Sequence, residues 1–208
     1  MSCLLTCLSL VYSIGMLAKL TVACGPMFSG KTEELLRRVR RTFYADLGVQ
    51  IFTPSTDTRH LDRFVSHAGT DLAALQVPFV PSVIRPDEPF AHRVRSNVDL
   101  VALDEAQFFA PTVVDEILYL LQVRKMSVFA AGLDRDYLGR PFGPMPALLA
   151  HADEVLKFTA VCARCRQLDA ATMTHRINGG AEQIQIGGQA DYEPLCRPCW
   201  VDATRTAR

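Results

Sequence analysis

The sequence predicts a mostly parallel α/β sheet flanked by helices, followed by a small cysteine-bearing module at the C-terminus. Three observations predict it. Apolar runs of strand length alternate with helix-length amphipathic stretches as far as about residue 161, the pattern of a parallel sheet built by crossovers. A glycine-rich segment, Gly25 to Thr32, joins the first strand to the first helix. Beyond residue 161 the alternation stops, and two C-x-x-C pairs bracket a stretch with hairpin signals.

The elements follow in order. LAKLTVAC (17–24) reads as a buried strand ending at Gly25. In the helix after Thr32, Leu35, Leu36, Val39 and Phe43 keep a 3.6-residue period. Arg37, Arg38, Arg40 and Arg41 cover its other side and read as a solvated face. Gly48 suits the helix stop, and VQIFTPS (49–55) is a second strand. Residues 77–89, with four prolines, read as an irregular connection. VDLVALDEAQFF (98–109) opens with a continuous apolar run, as a strand buried on both faces should. Pro111 starts a helix through about Val123, with Val113, Val114, Ile117, Leu118 and Leu121 as its apolar set. SVFAAGL (127–133) and VLKFTAV (155–161) complete the sheet. In the tail, AATMTHRI and EQIQIGG are strand-like, with Asn178-Gly179-Gly180 as the turn between them.

Composition narrows the class. The chain has 208 residues, 49% apolar and 21% charged, which excludes wholesale disorder. Lys plus Arg equals Asp plus Glu at 22 each, so no net charge draws the protein toward nucleic acid. Residues 1–18 carry no charged side chain. They lack the basic start and cleavage site of a signal peptide, and the run is shorter than the ~20 residues of a bilayer span. We read 1–16 as a non-native or disordered extension with Met16 as the first native residue. The domain reading is then 17–161 for the α/β domain, 162–200 for the cysteine module and 201–208 for a tail.

Three motifs carry chemistry. Gly25, Pro26, Met27, Phe28, Ser29, Gly30, Lys31 and Thr32 match G-x4-G-K-[ST], the phosphate-binding P-loop. Its backbone N–H groups and the following helix N-terminus suit phosphate, Lys31 suits β- and γ-phosphates, and the Thr32 hydroxyl suits Mg²⁺. Asp104 and Glu105 close a buried strand, where α/β ligands bind. Asp104 fits a Mg²⁺-holding role and Glu105 a general base. Cys162, Cys165, Cys196 and Cys199 form a four-thiolate set suited to structural Zn²⁺, which also favours a reducing, cytoplasmic compartment.

Taken together, these motifs resemble the type II thymidine kinases, over about residues 17–200. Gly25 to Thr32 match the family's G-P-M-F-S-G-K-[ST] loop, Asp57-Thr58-Arg59 its D-T-R, and Asp104 to Phe109 its D-E-[AG]-Q-F-F. Gly132 to Gly143 and Ile186 to Tyr192 match two further motifs. The resemblance implies a RecA-like P-loop fold with a zinc-ribbon-like module carrying a lasso loop. It implies ATP-dependent phosphorylation of thymidine, with deoxyuridine as a further substrate, at the 5′-hydroxyl to give dTMP. Glu105 is then the catalytic base, with Lys31 and Arg59 supplying charge. Asp57, Thr58, Arg59, Asp104, Glu105, Ala106 and Gln107 would join the P-loop around ATP. The nucleoside would meet Met27, Phe108, Leu133, Tyr137, Phe142, Thr172 and Tyr192, with Gln185, Ile186, Gly187 and Gly188 contributing backbone from the lasso. A homotetramer inhibited by dTTP is implied as well, with neither nucleic acid nor membrane as partner. Tyr137 stands where many members have Phe. The alternative class is a zinc-containing P-loop ATPase acting on nucleic acid, which the neutral charge and the absence of a second motor domain disfavour.

Overall fold

The computed structural model describes residues 17–56, 82–178 and 190–206. The N-terminal extension, the D-T-R segment, the EQIQIGG run with Gly179 and Gly180, and residues 207–208 lie outside them. Six strands form one sheet: β1 (Leu20–Cys24), β2 (Val49–Pro54), β3 (Ser82–Ile84), β4 (Leu100–Leu103), β5 (Ser127–Gly132) and β6 (Glu154–Lys157). Their order is β3-β2-β4-β5-β1-β6, and every pairing is parallel.

The near-continuous apolar strands are explained by burial on both faces. β1, β4 and β5 are buried at every position. Helix α1 (Lys31–Tyr44) covers one face, packing Leu35, Leu36 and Val39 against Ile51, Ala102 and Phe129. Helices α2 (Val113–Gln122) and α3 (Met145–His151) cover the other, where Ile117, Leu120 and Met145 meet Phe52, Val101 and Val128. The arginine side of α1 is only partly solvated, since Arg38 pairs with Glu34 at 2.8 Å and reaches Glu154 of β6 at 3.4 Å.

Several boundaries differ from the sequence reading. The proline-rich connection contains β3, three residues that pair with β2 between Pro81 and Pro86. An edge strand this short tolerates flanking prolines because only one side needs ladder hydrogen bonds. The buried face of α2 includes Leu120. In the C-terminal module, AATMTHRI supplies β7 (Met173–Arg176), whose antiparallel partner is β8 (Tyr192–Leu195). Helix α4 (Arg197–Thr206) runs through most of the stretch read as a tail. Ala160, Cys162, Ala171, Leu195, Cys196 and Ala203 form this module's own small core. Among the described residues, no helix is long and apolar enough to cross a membrane.

Candidate active site and metal centre

A parallel sheet directs all its strand C-termini to one edge, and the loops leaving that edge build the site. The P-loop leaves β1, flanked in the sheet by β5 and β6. Gly25 has φ +147°, and a Cβ there would lie 2.4 Å from the Phe158 carbonyl oxygen, so the close strand approach requires glycine. Gly30 opens α1 in the left-handed region, and Phe28 shares that region despite its side chain. Lys31 folds back over the loop, its Nζ donating to the Pro26 carbonyl at 2.6 Å. Burial pushes its ammonium below the ordinary lysine value, while Glu105, Asp104 and Asp134 pull it back toward the charged form.

β4 delivers the acidic pair. Asp104 is 5% exposed, and its carboxylate accepts from the Thr32 hydroxyl at 3.2 and 3.4 Å. Glu105 takes a left-handed backbone, φ 50°, before the short 3-10 turn Ala106–Phe108. Strain of this kind persists only where the surroundings impose it. Gln107 holds the turn: its Nε2 donates to Glu105 at 2.5 Å, and its Oε1 accepts from the Leu133 N–H at 2.9 Å. The side chain of Gln107, a residue the resemblance places at ATP, thus links Glu105 to the loop after β5. The sequence shows the residue but not this partner across the sheet.

The aromatic residues gather beside this pair. Phe108 and Phe142 meet edge-on with ring centroids 5.6 Å apart. Phe142 and Tyr192 are buried, and Tyr192 arrives from β8. The described residues therefore bring Met27, Phe108, Leu133, Tyr137, Phe142 and Tyr192 to one end of the sheet or onto the module next to it. Thr172 makes backbone contacts: its N–H donates to Leu195 at 3.1 Å, and its carbonyl accepts from Arg135 at 3.4 Å. The hydroxyl that reaches the P-loop belongs to Thr174, which is 4% exposed and accepts from the Met27 N–H at 3.1 Å. A two-residue shift keeps the strand face, so pattern alone could not separate the two threonines. Arg176 and Trp200, also absent from the sequence reading, join the same region: Trp200 Nε1 donates to the Tyr137 carbonyl at 3.2 Å. Asp57, Thr58, Arg59, Gln185, Ile186, Gly187 and Gly188 lie outside the described residues.

The four module cysteines converge. The Sγ atoms of Cys162, Cys165, Cys196 and Cys199 all lie within 4.8 Å of one another, and none is in a disulfide. Tetrahedral zinc with Zn–S of about 2.3 Å sets its sulfurs about 3.8 Å apart. Cys165 and Cys196 stand at 3.8 Å. Burial disfavours a Cys162 thiolate, but N–H groups of Cys196, Cys165 and Arg164 outweigh it and lower the pKa to about 6. Cys199, facing the Cys196 thiol first among the others, is pushed up to about 12. Such a set fits a dication that takes up several thiolates together, and four protein ligands are the complement of a closed, structural zinc site.

A P-loop at the head of a parallel sheet, an acid against its threonine, and a convergent four-cysteine cluster define a P-loop phosphotransferase with a small module whose thiols suit a metal. The family model for thymidine kinase matches residues 18–200. A thymidine kinase of Bacteroides fragilis is 41% identical over 191 residues, 91% of this chain and 90% of its own. One from Bacteroides thetaiotaomicron is 41% identical over 186 residues, covering 89% and 88% of the two chains. One from Porphyromonas gingivalis is 42% identical over 180 residues, covering 86% and 83%. The chain belongs to the thymidine kinase family.

Proposed function

We propose that this enzyme transfers the γ-phosphoryl group of ATP to the 5′-hydroxyl of thymidine, giving dTMP and ADP, and accepts deoxyuridine in the same way. The observation that carries the reading is the contact of Thr32 with Asp104, with Glu105 next in the chain on a strained turn. Two oxygens about 3 Å apart, a hydroxyl and a carboxyl, suit a small hard cation that keeps most of its waters. Thr32 and Asp104 would hold Mg²⁺, which when bound neutralises phosphate charge. The P-loop N–H groups and Lys31 bind the phosphates, and Pro26, Ser29 and Gly30 shape the loop around them. Ala106, 1% exposed, packs the turn beneath the nucleotide end. Glu105 accepts the 5′-hydroxyl proton as that oxygen bonds to the γ-phosphorus and the bond to the β–γ bridging oxygen breaks. The chain's part is positioning and charge, as phosphoryl transfer demands.

The aromatic and apolar group of Met27, Phe108, Leu133, Tyr137, Phe142 and Tyr192, with Thr174 or Thr172, offers a planar base stacking surface and few charges. The roles of Asp57, Thr58 and Arg59 near the phosphates, and of Gln185 to Gly188 at the base, rest on the resemblance of their motifs alone. So do assembly as a homotetramer and feedback inhibition by dTTP, while residence in the cytoplasm rests on the unpaired thiol set. The test is a nucleoside panel with ATP and Mg²⁺, reading out 5′-monophosphate. Thymidine turnover well above deoxycytidine and the purine nucleosides is expected. ATP hydrolysis stimulated by single-stranded DNA, with no nucleoside product, would overturn the reading in favour of a nucleic-acid ATPase.

A further inference from the structure

Arg176 ends β7, and its Cα partner across the ribbon is Tyr192 of β8. It is 9% exposed, an unusual depth for an arginine. Its guanidinium carbon lies 3.7 Å from the centroid of the Tyr137 ring and 5.5 Å from that of Tyr192. Its Nε donates to the Tyr192 hydroxyl at 3.2 Å. One side chain of the metal-bearing module thus touches both tyrosines of the proposed pocket, one from each part of the protein.

The backbone around Tyr137 is already held. Trp200 Nε1 donates to its carbonyl at 3.2 Å, and Asp136 Oδ1 accepts from the N–H groups of Leu138 and Arg140 at 2.9 Å each. Those bonds do not reach the ring, whose rotation about its side-chain bonds is a separate freedom. A planar guanidinium stacked on one face removes that freedom. It also covers that face against a nucleobase. At Tyr192 the directed Nε–H fixes the hydroxyl oxygen, and with it the tilt of the ring. Burying a guanidinium is costly unless ring faces and acceptors satisfy it, and an aliphatic side chain would fill the space without that cost. The strand face agrees with this role, because Thr174, two residues earlier, bonds the P-loop at Met27.

We propose that Arg176 is a positioning residue for the nucleoside, setting the plane of Tyr137 and the tilt of Tyr192 through one stacked guanidinium. This rests on the functional reading above. A residue that acts on ring orientation alters thymidine affinity and leaves ATP binding and the metal centre alone.

The experiment measures KM for thymidine and for ATP, kcat and zinc content in wild type, Arg176→Met, Arg176→Lys, Tyr192→Phe and the Arg176→Met/Tyr192→Phe double variant. Arg176→Met should raise the thymidine KM by about tenfold, with kcat and the ATP KM within about threefold and zinc retained. Arg176→Lys, which keeps the cation but not the planar stack, should recover part of that loss. The double variant should show less than the product of the single effects, because the hydroxyl has already lost its donor. A thymidine KM in Arg176→Met equal to wild type overturns the proposal, as does a parallel rise in both KM values with zinc lost. Should Arg176→Met not fold, Arg176→Lys decides: a wild-type thymidine KM overturns the role, and a selective rise supports it. A wild-type chain without thymidine turnover overturns the functional reading, and the role of Arg176 with it. An active wild type with unaltered variants overturns the role of Arg176 alone.

Discussion

The Thr32 hydroxyl lies 3.2 Å from the Asp104 carboxylate across 72 residues of sequence. The contact exists because only β5 separates β1 from β4 in the sheet, and both strands point their C-termini the same way. It joins the P-loop to the acidic pair.

Thr32→Val removes the hydroxyl and keeps the shape. The Mg²⁺ concentration for half-maximal turnover should rise at least about tenfold, since even groups behind the ligands shift metal affinity by that much. A Mg²⁺ titration of initial rates checks this, and an unchanged midpoint would remove Thr32 from the metal site.

Glu105→Gln keeps the side-chain volume and removes the base. Turnover should fall about 10²–10⁴-fold while ATP still binds, because proton acceptance is lost and phosphate contacts are not. Single-turnover rates together with ATP titration separate the two. A variant within threefold of wild type would assign the proton to another group.

Gln107→Leu tests the turn that carries Glu105. Gln107 is 2% exposed and is bonded at both ends, to Glu105 and to the Leu133 N–H. Leucine strands a half-buried donor, at a cost of about 1–2 kcal/mol, so Tm should drop by roughly 2–8 °C. Beyond that loss, kcat should fall with the zinc content intact, because Glu105 loses its aligning donor. Thermal melts and elemental analysis on the same preparation read both.

Cys165→Ser addresses the metal centre. Cys165 is the exposed member of the cluster, so the change disturbs packing least. Protein purified without chelator should hold one zinc per chain in the wild type and much less in the variant. The junction of β7 and β8 with α4 should then open first in hydrogen exchange, because the module's own core of six buried residues is small. Wild-type protein free of zinc would overturn the assignment.

Local patterns in the sequence determined much of this protein. Strand-length apolar runs, the period of α1, the P-loop and the paired cysteines each depend on residues close together in the chain, so their spacing is visible there. The P-loop glycines are legible because backbone geometry is a local demand, as the left-handed φ of +85° at Gly30 shows. Strand β3 was hidden by its prolines, because its pairing with β2 is set by a neighbour rather than by its own propensity. Tertiary structure alone decided which threonine touches Met27, that Gln107 bonds Leu133, and that Arg176 stacks on Tyr137. Each of those contacts joins segments more than twenty residues apart. A linear pattern shows which face a residue occupies, but the partner on that face is chosen only when sheet order brings two distant loops to the same edge.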